Sequence, residues 1–367
     1  MIHNRAIVDH GQRFLRMPPI KQPFNHTLVL LMPTKHMGNL LVSLHSIVTL
    51  IKANQGKSLV VIDEQYRDIM AAIPEVVDVV YYPRLQLRKG NVFRKLTLLN
   101  KFYSTLRDYR GTLLINFDTQ QLSTTIVLLS GIKICWGLSG SPMARLYKKI
   151  IDREDQHSHR FYDYEQYVYL IFSEYSVPQY PTLQALEKDS NFVKKLLENK
   201  YISNKPYVCI HAGATKDYKR WPEVSFSHTA DWLKDQGYEV IFIGAGASDR
   251  LIIERVYNQC AENHTNFCDA LSIGELIALL AKCAFFIGND SGPMHLAAAT
   301  GVCVFALFGP TDEQRWGPLG SNAIVIRNPV PCRYSCSKKI CDEDFRCIKS
   351  LGENYVKDHI TQYLLAS

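Results

Sequence analysis

Short apolar runs alternate with amphipathic, helix-spaced stretches twice along this chain. The run "TLVLLMP" (27–33) has the unbroken apolar character of a buried strand, and the loop "TKHMGN" separates it from a helix running from about Leu40 to Ala53. The strand "SLVVIDE" follows, then a helix reaching Ala72 and the strand "VDVVYYP". A basic amphipathic stretch, 84–110, leads to the strand "TLLINFD" and the helix "LSTTIVLLSG". Residues 178–204, with Pro178, Pro181 and many charges, read as a link, after which the series restarts. The second half runs as strand "YVCIHAG", helix "WPEVSFSHTADWLKDQG", strand "EVIFIGAG", then helices "DRLIIERVYNQCA" and "SIGELIALLAKC". Phe285 to Ile287 is a further strand, and "VCVFALF" (302–308) another. Two βαβ series predict an α/β protein with two doubly wound, Rossmann-like domains facing a cleft. The expected division is an extension over 1–26, a first domain over 27–180 and a second over 200–349.

Composition narrows the class. The chain has 367 residues, 47% of them hydrophobic, and its apolar runs break well short of the ~20 residues that span a bilayer. Residues 1–26 carry basic side chains without an apolar signal core, so a cytoplasmic protein is expected. The net charge of +7 favours anionic partners, and no basic block interleaved with aromatics points to nucleic acid. Among ten cysteines, Cys135, Cys209, Cys260, Cys268, Cys283 and Cys303 are scattered and read as core thiols. Cys332, Cys336, Cys341 and Cys347 cluster without the tight C-x2-C pair usual in structural zinc sites, and read as reduced packing thiols.

The segment "GNDSGPMHLAAATG" (288–301) joins two of the strands. Asp290 and Ser291 are N-cap residue types, Pro293 suits a first helical turn, and Gly301 is a natural stop. A helix therefore opens at the carboxyl edge of a sheet, where free N–H groups and the helix dipole favour phosphate or pyrophosphate. "HAGATKDYKRWP" (211–222) is a second loop at that edge, with Gly213, Thr215, Lys216, Lys219 and Arg220. "IGAGASD" (243–249) is a third, with Asp249 able to accept from a ribose hydroxyl. Together they describe a nucleotide diphosphate site, although neither a Walker loop nor a full dinucleotide fingerprint is present.

"HAGATKDYKRWP", "NDSGPMHLAAATG" and "ALFGPTDEQRWGP", in this order and spacing, resemble the motif series of the family 9 glycosyltransferases, the ADP-heptose:lipopolysaccharide heptosyltransferases. The resemblance covers roughly residues 27–365, and the terminal cysteine series is similar to the second-heptosyltransferase branch. It implies a glycosyltransferase-B fold whose C-terminal domain binds the nucleotide sugar and whose N-terminal domain binds the acceptor. The last helix, in "YVKDHITQYLLAS" within 350–367, would cross back to the N-terminal domain. The implied activity is inverting, metal-independent transfer of heptose from ADP-heptose to the lipopolysaccharide or lipooligosaccharide inner core, with no cofactor.

Carried over by position, Thr215 and Lys219 match donor-phosphate residues, and Asp290, Ser291, Gly292, Pro293 and His295 match the turn that meets pyrophosphate and sugar. Leu271 falls where the family backbone holds adenine, and Asp249 or Ser248 where it holds ribose. Charge developing on the departing phosphate would be met by the helix end and Lys219. The family's base is an aspartate in a Gly-Asp pair, and this chain has Gly38-Asn39; an amide cannot take the proton. His36 is the first substitute base and Asp118 the second. The alternative is a weak or inactive family member that binds nucleotide sugar or acceptor. Arg84, Arg88, Lys89, Arg94 and Lys95 lie where the family grips its anionic acceptor, Kdo-lipid A or a heptosylated core. They would also favour peripheral contact with the anionic inner face of the cytoplasmic membrane, although no amphipathic helix stands out as an independent anchor.

Overall fold

The computed structural model describes residues 27–54, 57–76, 78–153, 158–172, 180–202, 205–320, 322–328 and 341–366. Cys332 and Cys336 lie outside them. The chain forms two compact units, Met1–Pro181 and Thr182–Ser367.

The first unit holds six strands: β1 (Leu28–Met32), β2 (Ser58–Asp63), β3 (Asp78–Tyr82), β4 (Leu113–Asn116), β5 (Ile134–Leu138) and β6 (Lys149–Ile151). All pair in parallel, in the order β3-β2-β1-β4-β5-β6. Strand β1 is apolar throughout and wholly buried because it is central, covered on both faces. The second unit repeats the plan with β7 (Tyr207–His211), β8 (Glu239–Phe242), β9 (Thr265–Asn266), β10 (Phe286–Asn289), β11 (Val304–Phe308) and β12 (Ala323–Arg327). Its order, β12-β11-β10-β7-β8-β9, is the same winding. The strand order of each sheet thus reverses between its first and fourth strands, β1 and β4 in one and β7 and β10 in the other, while every pair stays parallel. Loops leaving the carboxyl ends of those strands are where such folds bind ligands.

Three stretches gain detail that the sequence pattern lacks. The stretch 178–204 is more than a link: Glu187–Asn199 is a helix with Val193 and Leu197 buried, and it packs on the helix Ile273–Leu280 within the second unit. Its three-to-four-residue apolar spacing is thin among many charges, which hid it. The last helix, Glu353–Ala366, makes its described packing contacts in the second unit, where Val356 and Ile360 join the core and Tyr363 packs edge-on against Phe305. Its apolar face closes the second core. The basic stretch 84–110 is two helices, Arg84–Arg88 and Val92–Arg107. Gly90, at φ +131°, supplies the break, and the Asn91 side chain caps the second helix by accepting from Arg94 N at 3.0 Å.

The scattered cysteines divide by depth. Cys135, Cys209, Cys283 and Cys303 are buried as expected, whereas Cys260 and Cys268 are half-buried. No helix among the described residues is long and apolar enough to cross a membrane.

Candidate functional site

In the second unit the loops after β7, β8 and β10 are tied to one another by buried side chains. Asn289, the last residue of β10, is fully buried. Its Nδ2 donates to the carbonyls of Ala212 (2.9 Å) and Gly213 (3.2 Å), and its Oδ1 accepts from Trp221 N at 2.9 Å. One amide thereby fixes both ends of the 212–221 loop, the loop that carries Thr215 and Lys219. Thr215 is exposed on it, and Lys219 closes a 3-10 turn over Asp217–Lys219. Lys219 Nζ donates to Asp290 Oδ2 at 2.6 Å, so the cation and the turn after β10 are held together.

His211, the last residue of β7, makes a second tie. Its Nε2 lies 3.1 Å from Asp249 Oδ2 and its Nδ1 lies 3.2 Å from Ser291 Oγ. Burial opposes the charge on Asp249, but His211 and the Ala245 N–H outweigh it and hold the carboxyl below the ordinary 3.8. The ring thereby links the Asp249 carboxylate to the Ser291 hydroxyl. Gly213 is required here, because a Cβ would run into Asp249 Oδ1 and lie 3.0 Å from His211 Nε2. Ser248 is exposed beside Asp249, and Leu271 is half-buried just ahead of the Ser272/Glu275 capping box.

Ser291 is the N-cap of the helix Gly292–Ala299, with Pro293 in the first turn, but its side chain makes no cap bond. The hydroxyl has turned to His211, so it leaves the first N–H groups of that helix uncapped. His295 sits one turn in and is buried; desolvation depresses its imidazole to about 4, against the pull of Asp290 and with the push of Lys219. The ring is neutral at neutral pH. Lysine, helix end, neutral histidine and ionised Asp249 form a site suited to a diphosphate joined to a hydroxylated sugar or nucleoside.

In the first unit the segments after β1, β3 and β4 carry the remaining candidates. His36 is exposed at the N-cap of the helix Met37–Ala53, and Asn39 lies in its first turn, which holds no acid. Partial burial, then the charges of Lys35 and Arg84, hold the His36 imidazole below the ordinary 6.5. Thr34 Oγ1 accepts from His36 N (3.1 Å) and from Gln120 Nε2 (3.4 Å), joining this loop to the one after β4. There Asp118 is buried; its Oδ1 accepts from Gln120 N at 3.3 Å and its Oδ2 is closed off from solvent without a partner. Burial pushes this carboxyl above the ordinary 3.8, against the N–H groups of Gln120 and Thr119 and the charges of Arg160 and Arg84.

The five expected acceptor cations do not act alike. Arg84 bonds through Nε to buried Asp63 and through Nη2 to Pro33 O at 2.9 Å, so it braces the loops after β1 and β2 instead of standing free. Arg88, Lys89 and Arg94 are exposed and Lys95 half-buried. Sequence reasoning passed over Asn289 and His211, although both stand inside quoted motifs; a buried polar residue ending a strand was the available signal. Asp231, Cys260 and His264 place ligand-type atoms within 4.8 Å of one another. The oxygens of Asp231 already accept from Ala261 N, Glu262 N and His264 Nε2, which marks the group as a loop anchor.

The family model for glycosyltransferase family 9 (heptosyltransferase) matches residues 99–344. A lipooligosaccharide heptosyltransferase 2 of Haemophilus influenzae is 30% identical over 177 residues, which are 44% of this chain and 51% of that protein. The match therefore spans about half the length of that relative. The crystal structure of a family 9 glycosyl transferase from Veillonella parvula superposes with a TM-score of 0.81 at 21% identity, over 94% of this chain and 99% of that one. The Escherichia coli ADP-heptose lps heptosyltransferase II gives 0.71 at 21% identity, over 93% and 99%.

Proposed function

Because the chain belongs to glycosyltransferase family 9, we propose that it transfers a heptose from ADP-heptose to the inner core of lipopolysaccharide or lipooligosaccharide. The observation that carries this reading is the cluster in the second unit where Lys219, Asp290, Ser291 and Asp249 are tied together by their own bonds and through His211, on a loop that Asn289 holds, with His295 in the first turn of the adjoining helix. The named relatives act on that class of glycan or that donor. Departure of ADP places charge on its terminal phosphate, and the uncapped helix end with Lys219 is preorganised to meet it. Transfer would proceed with inversion and without a metal ion or cofactor. The acceptor would be Kdo-lipid A or a heptosylated core presented at the inner face of the cytoplasmic membrane.

His36 is the base in this proposal. It is exposed, and its depressed pKa keeps the ring free to take a proton. Asp118, with the higher proton affinity of a buried carboxyl, is the second choice because its unpartnered oxygen is shielded. The amide at Asn39 favours a second reading, a family member that binds nucleotide sugar or acceptor without efficient transfer. Incubation with ADP-heptose and isolated core acceptors in excess chelator, read by mass spectrometry of the glycan, separates the two. A product heavier by one heptose supports the transferase; ADP binding without any product supports the second reading.

A further inference from the structure

The helix Val92–Arg107 is anchored at one end. Its second half sends Phe102, Tyr103 and Leu106 into the core of the first unit, whereas its first two turns bury nothing. In those turns Val92 is 68% exposed, Phe93 82% and Leu96 59%. Their spacing brings them to one side of the helix. Leu85, on the short helix just before, is a further 46% exposed. Single exposed apolar residues are ordinary, but a cluster at a projecting helix tip marks a binding surface.

The charge around this tip is of one sign. Between 84 and 107 the sequence has seven Lys and Arg and no Asp or Glu. Arg84 is paired with Asp63, and Glu64 is taken up by the N–H groups of Leu85 and Gln86. Among the described residues, Arg88, Lys89, Arg94 and Lys95 have no acidic partner. The chain's own extension is a poor occupant, since residues 1–26 carry Arg5, Arg13, Arg16 and Lys21 against Asp9 alone. A nucleic acid would satisfy the cations but leave Val92 and Leu96 in water. An anionic bilayer satisfies both, with phosphates for the cations and the acyl boundary for the apolar side chains.

We propose that the tip of this helix is a membrane-docking surface, inserting Val92, Phe93 and Leu96 into an anionic bilayer while Arg88, Lys89, Arg94 and Lys95 hold its headgroups. This deepens the proposed function by assigning the surface on which a lipid-linked acceptor is approached, and it rests on that reading for the identity of the membrane. The test mixes the full chain with phosphatidylethanolamine/phosphatidylglycerol vesicles and, separately, with phosphatidylcholine vesicles. Co-sedimentation is expected with the anionic vesicles alone and should fall as salt rises. Replacing Phe93→Ser and Leu96→Ser together should lower partition by about tenfold or more, with circular dichroism and ADP affinity unchanged. A Phe93→Trp variant should shift its emission to the blue on anionic vesicles. Wild-type protein that ignores those vesicles, a double variant that partitions equally, or an unmoved Trp emission each overturns the proposal. So does tighter binding to a short RNA or DNA than to vesicles. Neither donor nor acceptor is present in these mixtures, so failure here and failure of the transferase reading are separate results.

Discussion

Asn289→Ala tests whether one buried amide sets the geometry of the 212–221 loop. The substitution removes three hydrogen bonds of 2.9, 3.2 and 2.9 Å and strands the buried Trp221 N–H together with two carbonyls. Each of the three lost bonds is worth about 1 kcal/mol net, and a buried donor left without a partner adds about 1–3 kcal/mol, so a cost of roughly 4–6 kcal/mol is expected. Trp221, itself buried, is a fluorescent reporter beside the change. Urea unfolding followed by fluorescence should show the second unit's transition at lower denaturant, and calorimetry should show weaker ADP binding as the 212–221 loop loosens. Asn289→Asp should not rescue: it keeps the acceptor for Trp221 N but faces two carbonyl oxygens with a carboxylate oxygen. A cost below about 1 kcal/mol for Asn289→Ala, with ADP affinity intact, would refute the argument, because surrounding groups would then have to satisfy what the amide satisfies here.

Lys219→Ala should weaken ADP by about tenfold or more and adenosine hardly at all, since the lost charge faces phosphate; binding of ADP that disappears in chelator would instead point to a required metal ion. His36→Ala should lower turnover by about a hundredfold with donor affinity nearly unchanged, and Asn39→Asp should raise it. The pH–rate limb of the wild type should then lie below 6.5, in keeping with the depressed imidazole. An unaffected rate in His36→Ala and a collapse in Asp118→Asn would move the base to Asp118. His295, neutral in the fold down to about 4, contributes stability above the ordinary 6.5 that is lost as pH falls from 6.5 toward 4, where only the unfolded chain takes up the proton. The full difference is about 3 kcal/mol, and His295→Gln should flatten that part of the stability–pH curve; a curve of unchanged slope would argue against it.

The two βαβ series were legible because buried parallel strands are unbroken apolar runs, and the helices between them keep a near-3.6 spacing. The turn 288–301 was legible for the same local reason, since cap residue, proline and glycine each act within a few positions of themselves. The family resemblance added the expectation of which of these loops meet the donor. What the local pattern could not carry is which distant residues meet. Asn289 and Ala212 are 77 positions apart, and His211 and Ser291 80, so their pairing exists only once the sheet order sets β7 beside β10. The same holds for Arg84, an ordinary cation of a basic helix until β2 presents Asp63 to it. It holds in reverse for Val92, Phe93 and Leu96: their spacing is that of a core-facing stripe, and only the packing of Phe102, Tyr103 and Leu106 leaves the first turns of the helix without a core to enter. Local chemistry fixes elements, because it acts over a turn or a strand. The site, the braces and the exposed tip are set by contacts between elements, which no short stretch of sequence contains.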